Sequence, residues 1–213
     1  MFTMEFWAAF ALIAVVSYLL GSVNFALLIS KGFAGDDIRR HGSGNAGMTN
    51  VLRTYGAKPA IATAAGDFLK ALIAILISRF IFRRMDVTLI DAGYISGLFV
   101  LIGHLFPVYF RFKGGKGVIV TLGVIFVTNP LAFLIIMVIF IPIVVISKMV
   151  ALASVLGALV YPFLIWLLQY LWGEEPLYNT ICAATFSVIV LITHRDNIKR
   201  ILSGTENKLG KKK

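Results

Sequence analysis

Seven long apolar segments decide what this chain can fold into. Hydrophobic residues make up 59% of its 213 residues and charged residues 14%, whereas a soluble domain is only roughly half apolar. Since about 20 apolar residues in a helix cross a bilayer, we predict an all-α integral membrane protein with a single membrane-embedded domain over residues 1–213. The predicted spans are residues 6–30, 50–81, 92–110, 118–128, 131–147, 150–172 and 178–193.

Two of these segments do not look like simple crossings. Residues 50–81 are too many for one crossing, so part of that helix must project or tilt. Residues 118–128 are few, and Asn129-Pro130 separates them from the next segment. That pair indicates either two short spans joined by a tight turn or one broken helix, and the choice decides between seven and fewer crossings.

Basic residues are distributed unequally over the two sides that seven spans define. One side carries three of the 20 basic residues, Arg79, Arg83 and Arg84, and Asp86 and Asp91 lie nearby as pairing partners. Lys70 lies within a span. The other side carries sixteen: Lys31, Arg39, Arg40, Arg53, Lys58, Arg111, Lys113, Lys116, Lys148, Arg195, Lys199, Arg200, Lys208, Lys211, Lys212 and Lys213. The positive-inside rule therefore predicts an external amino terminus and a cytoplasmic carboxyl terminus. The final three lysines are expected to be a solvated tail near anionic lipid.

Three polar segments on the predicted cytoplasmic side are not ordinary connectors. The first is Gly42-Ser43-Gly44-Asn45-Ala46-Gly47-Met48-Thr49-Asn50, followed by Arg53; the second is Lys113-Gly114-Gly115-Lys116-Gly117; the third is His194-Arg195-Asp196-Asn197-Ile198-Lys199-Arg200. The orientation rests on charge counting alone, yet it places all three on one face. We therefore predict that they form one site.

The glycines of the first two segments resemble parts of nucleotide-binding motifs, but neither segment meets the requirements of its motif. Residues 42–47 read G-x-G-x-x-G, but the charged residues 36–41 precede them instead of a buried strand. The second segment lacks the first glycine of a P-loop, and Val118 cannot supply its magnesium-binding hydroxyl. Both nucleotide-binding functions are therefore excluded.

The physics of anion binding applies to both segments nevertheless. Glycines let backbone N–H groups approach an anion closely. Thr49 and Asn50 are good N-caps for the second span, and Gly117 opens the fourth span with Lys116 beside it. Two such loops on one membrane face predict phosphate binding.

The remaining polar residues have simpler interpretations. Asp67 and Lys70 are three apart on one helix and are expected to pair within the membrane. His104 is expected to be a packed polar residue that lines the site at most, and Cys182 a small core residue. The histidines lack metal-ligand spacing, and none has an aspartate five residues later, so no metal, cofactor or H-x-x-x-x-D acyltransferase motif is predicted.

Three stretches together resemble the bacterial PlsY family of acyl-phosphate-dependent glycerol-3-phosphate acyltransferases. They are G-S-G-N-A-G-M-T-N-V-L-R from Gly42, G-H-L-F-P-V-Y-F-R-F-K-G-G-K-G-V from Gly103 and H-R-D-N-I-K-R-I-L-S-G-T-E from His194. Ala46 and Met48 stand where proline and alanine are common in the family. The resemblance runs from the first helix to near the end of the chain, and it implies seven spans in the bacterial inner membrane with a cytoplasmic active site.

The resemblance also implies the reaction and its residues. An acyl chain would pass from acyl phosphate to the 1-hydroxyl of sn-glycerol 3-phosphate, giving lysophosphatidic acid and phosphate, without a cofactor. The catalytic candidates are Ser43, Lys116, His194 and Asn197. The substrate-binding candidates are Gly42, Gly44, Asn45, Thr49, Asn50, Arg53, Lys113, Gly114, Gly115 and Gly117. The proton acceptor is either His194, because histidine titrates near neutrality, or an oxygen of the donor phosphate, which we favour with His194 as a phosphate ligand.

Two other classes of protein are less consistent with the sequence. An anion transporter would show internal repeats and helices broken at mid-membrane, and none is evident. A membrane assembly factor without chemistry would not need three such polar segments. The expected partners are the two substrates and the lipid bilayer; nucleic acid is not expected, and the protein is expected to be a monomer.

Overall fold

The computed structural model describes residues 3–87 and 90–210, and within these residues all regular secondary structure is helical. The predicted lysine tail, Lys211 to Lys213, lies outside the described residues. The chain divides into two compact units, Met1–Thr128 and Asn129–Lys213. The first contains α1 Met4–Ser22, α2 Phe25–Ala34, α3 Met48–Tyr55, α4 Ala57–Arg84, α5 Ala92–Leu105 and α6 Val118–Thr128. The second contains α7 Pro130–Ser147, α8 Val150–Trp172, α9 Leu177–Thr193 and α10 Arg195–Leu202.

Five stretches of the described residues are long and apolar enough to cross a membrane: Met4–Ala34, Ala57–Arg84, Ala92–Phe110, Pro130–Ser147 and Val150–Trp172. A sixth crossing is possible through Leu177–Thr193 and Arg195–Leu202, which meet at a bend of 64°. Val118–Thr128 is apolar but short. The prediction of an all-helical integral membrane protein is confirmed at this level.

The predicted second span is wrong in its bounds. Gly56 divides it with φ 87° and ψ −171°, a backbone conformation that only glycine adopts readily. The short helix α3 therefore ends at Tyr55, and the long α4 begins at Ala57. The residues around this break, Arg53 to Pro59, include two cations, a glycine and a proline, so the sequence marks the interruption that the predicted span ran across.

The first predicted span is also divided. Asn24 separates α1 from α2 and caps α2 by accepting a hydrogen bond from the backbone N–H of Leu27 at 3.0 Å. In the second unit, Asn129 caps α7 in the same way through Ala132 N, with Pro130 at the first helical position, where its missing N–H costs nothing.

Small residues bring the helices of the first unit close together. A Cβ atom at Gly21 of α1 would collide with the carbonyl of Val100 of α5, and one at Gly103 would collide with that of Tyr18. Such close approach of small residues is a common way to pack membrane helices. The hydroxyl of Ser17 adds buried hydrogen bonds to those of Ser78 and Ser96, linking α1, α4 and α5.

Candidate active site

The first glycine loop, residues 41–47, is built around one buried side chain that follows it. The Asn50 carboxamide nitrogen donates to the carbonyls of Ile38, His41 and Asn45 at 3.1, 2.9 and 3.0 Å. Its oxygen accepts from the backbone N–H of Ser43 at 3.0 Å. Gly42 has φ 56°, and a Cβ there would collide with the Asn50 oxygen. The loop therefore folds over Asn50.

The predicted capping role of Thr49 and Asn50 is wrong. Gly47 is the N-cap of α3, and both residues lie in its first turn, one helix earlier than the membrane span they were expected to begin. Asn50 is 1% exposed, and its amide group is used by the loop backbone. We interpret it as the residue that shapes the loop, while Ser43 and Gly44 lie exposed on its surface.

The second glycine loop, residues 113–117, is anchored to the end of α5 through its backbone. Gly114 N–H donates to the carbonyl of Leu105 at 3.1 Å, and Gly115 N–H donates to that of His104 at 3.2 Å. A Cβ atom at either glycine would collide with His104. Gly117 has φ 80° and directly precedes α6, as the sequence predicts.

The two glycine loops meet. The backbone of Gly115 packs so close to the first loop that a Cβ atom on it would lie 2.6 Å from the Ala46 carbonyl oxygen. Arg39 adds a second link, because its guanidinium donates to the carbonyls of Phe110 and Lys113 at 3.1 and 3.0 Å. The structure thus brings together the first two of the three predicted segments.

Two aspartates orient the chain that enters the first loop. Hydrogen bonds from the Arg39 side chain lower the pKa of Asp37, and this pair has an Nη2 to Oδ2 distance of 2.6 Å. The hydrogen bond to His41 lowers the pKa of Asp36. The sequence analysis did not select Arg39 as a site residue, since an arginine before a loop has no local signature; its role depends on Lys113, 74 residues away.

The cationic candidates of the first unit lie on the second loop and on α3, the helix that follows the first loop. Lys113 is exposed, Lys116 is partly buried within the second loop, and Arg53 is partly buried on α3, one turn after Thr49. Backbone N–H groups of glycine loops beside lysine and arginine suit the binding of an anion with several oxygens.

The third segment belongs to the second unit, where it forms the junction of α9 and α10. His194 and Asn197 are 3% and 7% exposed. The Asn197 carboxamide donates to Glu206 Oε1 at 2.9 Å, and Arg200 Nε donates to Glu206 Oε2, also at 2.9 Å. Glu206, itself buried, therefore holds α10 to the following chain; this role was not predicted from the sequence because nothing local marks this glutamate.

One hydrogen bond determines the tautomer of His194. Its Nδ1 lies 2.8 Å from the backbone carbonyl of Val190, and a carbonyl oxygen can only accept. Nδ1 therefore carries a proton. In the neutral ring Nε2 is then an acceptor, and it donates only when the ring is protonated.

A buried ion pair lies beneath the two glycine loops. Lys70 Nζ is 2.8 Å from Asp67 Oδ1, with side-chain exposures of 4% and 2%, so the predicted pairing is confirmed. His104, 3% exposed, joins it through a 3.0 Å contact of its Nδ1 with Lys70 Nζ. His104 is a packed polar residue as expected, but its packing against Gly115 also makes it part of the loop support.

Fold and site together define a helical membrane protein with a glycine-lined face that carries lysine and arginine. Residues 11–204 match the family described as glycerol-3-phosphate acyltransferase. A glycerol-3-phosphate acyltransferase of Clostridioides difficile is 42% identical over 205 residues, covering 96% of this chain and 98% of the relative. One from Halalkalibacterium halodurans is 41% identical over 205 residues, covering 95% and 96%.

Solved structures agree with these relatives. The crystal structure of PlsY, an integral membrane glycerol 3-phosphate acyltransferase, in its glycerol 3-phosphate form has a TM-score of 0.81 and 33% identity, covering 94% of this chain and 96% of that one. Its lysophosphatidic acid form gives 0.78 and 32%, covering 94% and 95%. The chain belongs to the PlsY family of glycerol-3-phosphate acyltransferases, which are bacterial membrane enzymes of phospholipid synthesis.

Proposed function

We propose that this protein transfers an acyl chain from acyl phosphate to the 1-hydroxyl of sn-glycerol 3-phosphate. The products are lysophosphatidic acid and inorganic phosphate, and residues 1–213 act as one membrane-embedded acyltransferase domain without a cofactor. The observation that carries the proposal is the meeting of the two glycine loops, with Lys113 and Lys116 on one and Ser43 on the other. Both substrates are phosphates, so this face suits each of them.

Acyl phosphate needs little further activation, because it is a mixed anhydride. The hydroxyl oxygen of glycerol 3-phosphate attacks the acyl carbon, the bond from that carbon to the phosphate oxygen breaks, and phosphate leaves with the electron pair. The enzyme has to align two anions that repel each other and stabilise the leaving phosphate. A covalent serine or cysteine intermediate is unnecessary.

The site residues take distinct parts in this proposal. Lys116 neutralises the leaving phosphate, and Arg53 and Thr49 bind phosphate or hydroxyl oxygens with Ser43 and Asn45. His194 and Asn197 complete the site. The backbone N–H groups of the glycines contribute the remaining donors: Gly42, Gly44, Gly114, Gly115 and Gly117.

The tautomer of His194 bears on which group accepts the hydroxyl proton of glycerol 3-phosphate. With Nδ1 bonded to the Val190 carbonyl, a neutral His194 offers a lone pair at Nε2, which suits a base but repels a phosphate oxygen. As a phosphate ligand, His194 must therefore be an imidazolium. We propose this second state, with the hydroxyl proton passing to an oxygen of the donor phosphate, so that the leaving group departs already protonated.

We also propose seven spans, with the amino terminus outside, and the loops and carboxyl terminus on the cytoplasmic side of the bacterial inner membrane. The count of seven adds the short α6 to the six crossings that the longer helices allow. The first turn of α6 follows Gly117, which packs on Leu101 near the end of α5, whereas the methyl of Thr128 at its other end lies 3.0 Å from a Cβ position on Gly93 near the start of α5. The helix α6 thus lies alongside α5 from Leu101 to Gly93.

Cysteine labelling tests this orientation. A cysteine at Gly210 should react with an impermeant maleimide only from the cytoplasmic side of membrane vesicles, and a cysteine at Thr3 only from outside. Cys182 is first replaced by serine to remove the native thiol. Labelling of both positions from the same side would exclude an odd number of spans.

The donor is tested with the purified protein in detergent or nanodiscs. Palmitoyl phosphate with sn-glycerol 3-phosphate should release phosphate and form 1-acyl lysophosphatidic acid in equal amounts. Palmitoyl-CoA should give no product. A comparable rate from palmitoyl-CoA would refute the acyl-phosphate assignment, and phosphate release without lysophosphatidic acid would refute the acceptor.

A further inference from the structure

The buried cluster of Asp67, Lys70 and His104 touches more than its own members. Lys70 Nζ lies 3.0 Å from the carbonyl oxygen of Gly21 and 2.7 Å from that of Val23, at the break between α1 and α2. These carbonyls lie at the carboxyl end of α1, where the last carbonyls of a helix have no N–H partner within the helix. The ammonium of Lys70 therefore closes the broken helix and holds it to α4.

The cluster is connected to both glycine loops, through the α1–α2 break on one side and through His104 on the other. On one side, Asn24 follows the break and donates to the Ala46 carbonyl of the first loop at 3.3 Å. On the other side, the His104 ring packs against Gly115 of the second loop. The backbone carbonyl of His104 also accepts a hydrogen bond from the Gly115 N–H at 3.2 Å. Both loops therefore rest on elements that Lys70 joins.

His104 contacts both members of the ion pair through one ring nitrogen. Its Nδ1 lies 3.0 Å from Lys70 Nζ and 3.5 Å from Asp67 Oδ1. The other ring nitrogen, Nε2, is the atom that a Cβ on Gly115 would strike. The ring that supports the second loop is thus held by an ion pair in the neighbouring helix.

Stability is a poor explanation for such a cluster. Removing two charges from water costs more than their attraction returns in many proteins, and well-packed apolar residues of similar volume are often as stable or more so. Within a membrane segment the cost is larger still, and ionisable residues there usually serve function. The contacts above give this cluster a functional task.

We propose that Asp67, Lys70 and His104 are positioning residues that set the two glycine loops in register with each other. They do not touch the reacting atoms. They act through the backbone of residues 114–115 and 46, so that Lys116 and the loop N–H groups face the substrate at the right distance. The effect on turnover rests on the proposed function; the effect on the loops does not.

The decisive variant replaces the ion pair with apolar residues, Asp67→Leu together with Lys70→Met, so that no single charge is left buried. It should still fold, with a lower melting temperature in detergent, because the carbonyls of Gly21 and Val23 lose their donor. Hydrogen exchange of peptides that contain Gly114 and Gly115 should become faster, because the anchor of their N–H groups has loosened. The matched control is Ser78→Ala, a buried polar change in the same helix that contacts Ser17 instead of a loop.

Exchange at residues 114–115 that stays at the parent rate in the apolar pair variant would overturn the proposal. Faster exchange throughout α4 and α5, or the same change in Ser78→Ala, would also overturn it, because the cluster would then only stabilise the helices. If the apolar pair variant fails to fold, His104→Leu takes its place. That variant keeps the ion pair and should loosen the second loop alone.

Turnover gives an independent readout through a double-mutant cycle with Lys116→Ala. The apolar pair should lower kcat on the order of ten- to a hundredfold, as misplacement of reacting groups does elsewhere. Added to Lys116→Ala, it should cost little more, because both changes remove the same positioned charge. Losses that simply multiply would contradict action through the second loop. Parent protein that fails to use palmitoyl phosphate would count against the proposed function, and hydrogen exchange would still decide the positioning role.

Discussion

Helix α4 carries two ion pairs that differ in almost every respect. Lys70 pairs with Asp67 one turn away, and both side chains are nearly buried, at 4% and 2% exposure. Arg79 lies nine residues further along, or about 13 Å along the axis. It pairs with Asp91 at 2.6 Å, and these side chains are 30% and 33% exposed. The same helix thus carries one buried ion pair and one partly exposed ion pair, whose roles can be compared.

The neighbours of each pair explain the difference. Asp91 caps α5 by accepting from Gly93 N–H at 2.8 Å, and Arg79 holds it there, so this pair closes the connection from α4 to α5. The Lys70 pair contacts the α1 break and, through His104, the second glycine loop. The partly exposed pair stabilises a chain connection at small cost, whereas the buried pair is costly and lies under the site. We therefore expect activity to depend on the Lys70 end of α4 and only stability to depend on the Arg79 end.

The largest loss should follow Lys116→Ala. Its ammonium is proposed to stabilise charge that grows on the leaving phosphate, and loss of a comparable donor elsewhere costs roughly 3 kcal/mol, or about a hundredfold or more in kcat. Lys116→Arg should restore little, because the guanidinium is larger and planar in a tight glycine loop. Phosphate release is measured under saturating substrates. Near-normal kcat in Lys116→Ala would remove the second loop from the chemistry.

His194 should give the next largest effect and a diagnostic pH profile. As an imidazolium ligand it requires protonation, so the KM for glycerol 3-phosphate should rise as increasing pH removes the proton from His194. His194→Gln still donates a hydrogen bond, should keep clearly more activity than His194→Ala, and should lose this rise in KM. The opposite profile would identify His194 as the base: kcat falling at acid pH, with Gln and Ala variants equally inactive.

Asn50→Ala should raise KM more than it lowers kcat. It leaves the carbonyls of Ile38, His41 and Asn45 without their donor and so releases the first loop, at a cost of about 1–3 kcal/mol per buried group left unpaired. Asn50→Asp should be no better, since a carboxylate would face three carbonyl oxygens. The control is Asn129→Ala, which removes a buried asparagine that only caps α7 and should cost about 1 kcal/mol of stability without a change in KM. Equal KM values in the two alanine variants would contradict our account of the first loop.

The smallest effect is expected at the Arg79 end. Burial raises the pKa of Asp91, but the hydrogen bonds from Arg79 and Gly93 N–H outweigh it, and the pKa of Asp91 is lowered. A lowered pKa contributes stability that is present above the unfolded value of about 3.9 and is lost as pH falls through the folded value. Asp91→Asn should therefore lower the free energy of unfolding at neutral pH by about 1 kcal/mol or less, given the partial exposure. The melting temperature should fall at neutral pH and should decrease less steeply in acid than that of the parent. Turnover at neutral pH should be unchanged; a tenfold loss would place this end of α4 in the function too.

Sequence reasoning succeeded where a feature is local. The bounds of α6 and α8 match the predicted segments to the residue, and α7 differs by one residue, because long apolar runs end at polar or helix-breaking residues. The pairing of Asp67 with Lys70 follows from helical spacing alone. The glycine loops and their family likeness are equally visible in the order of residues, and they led to the right family.

The tertiary structure decided what no local pattern encodes. Asn50 looked like the cap of a membrane span, yet its amide faces the backbone of the loop that precedes it. Lys70 meets His104 across 34 residues of sequence and Arg39 meets Lys113 across 74. Such partners are chosen by how the helices pack, since a hydrogen bond depends on distance in space, and only the folded chain determines which distant groups come within about 3 Å of each other.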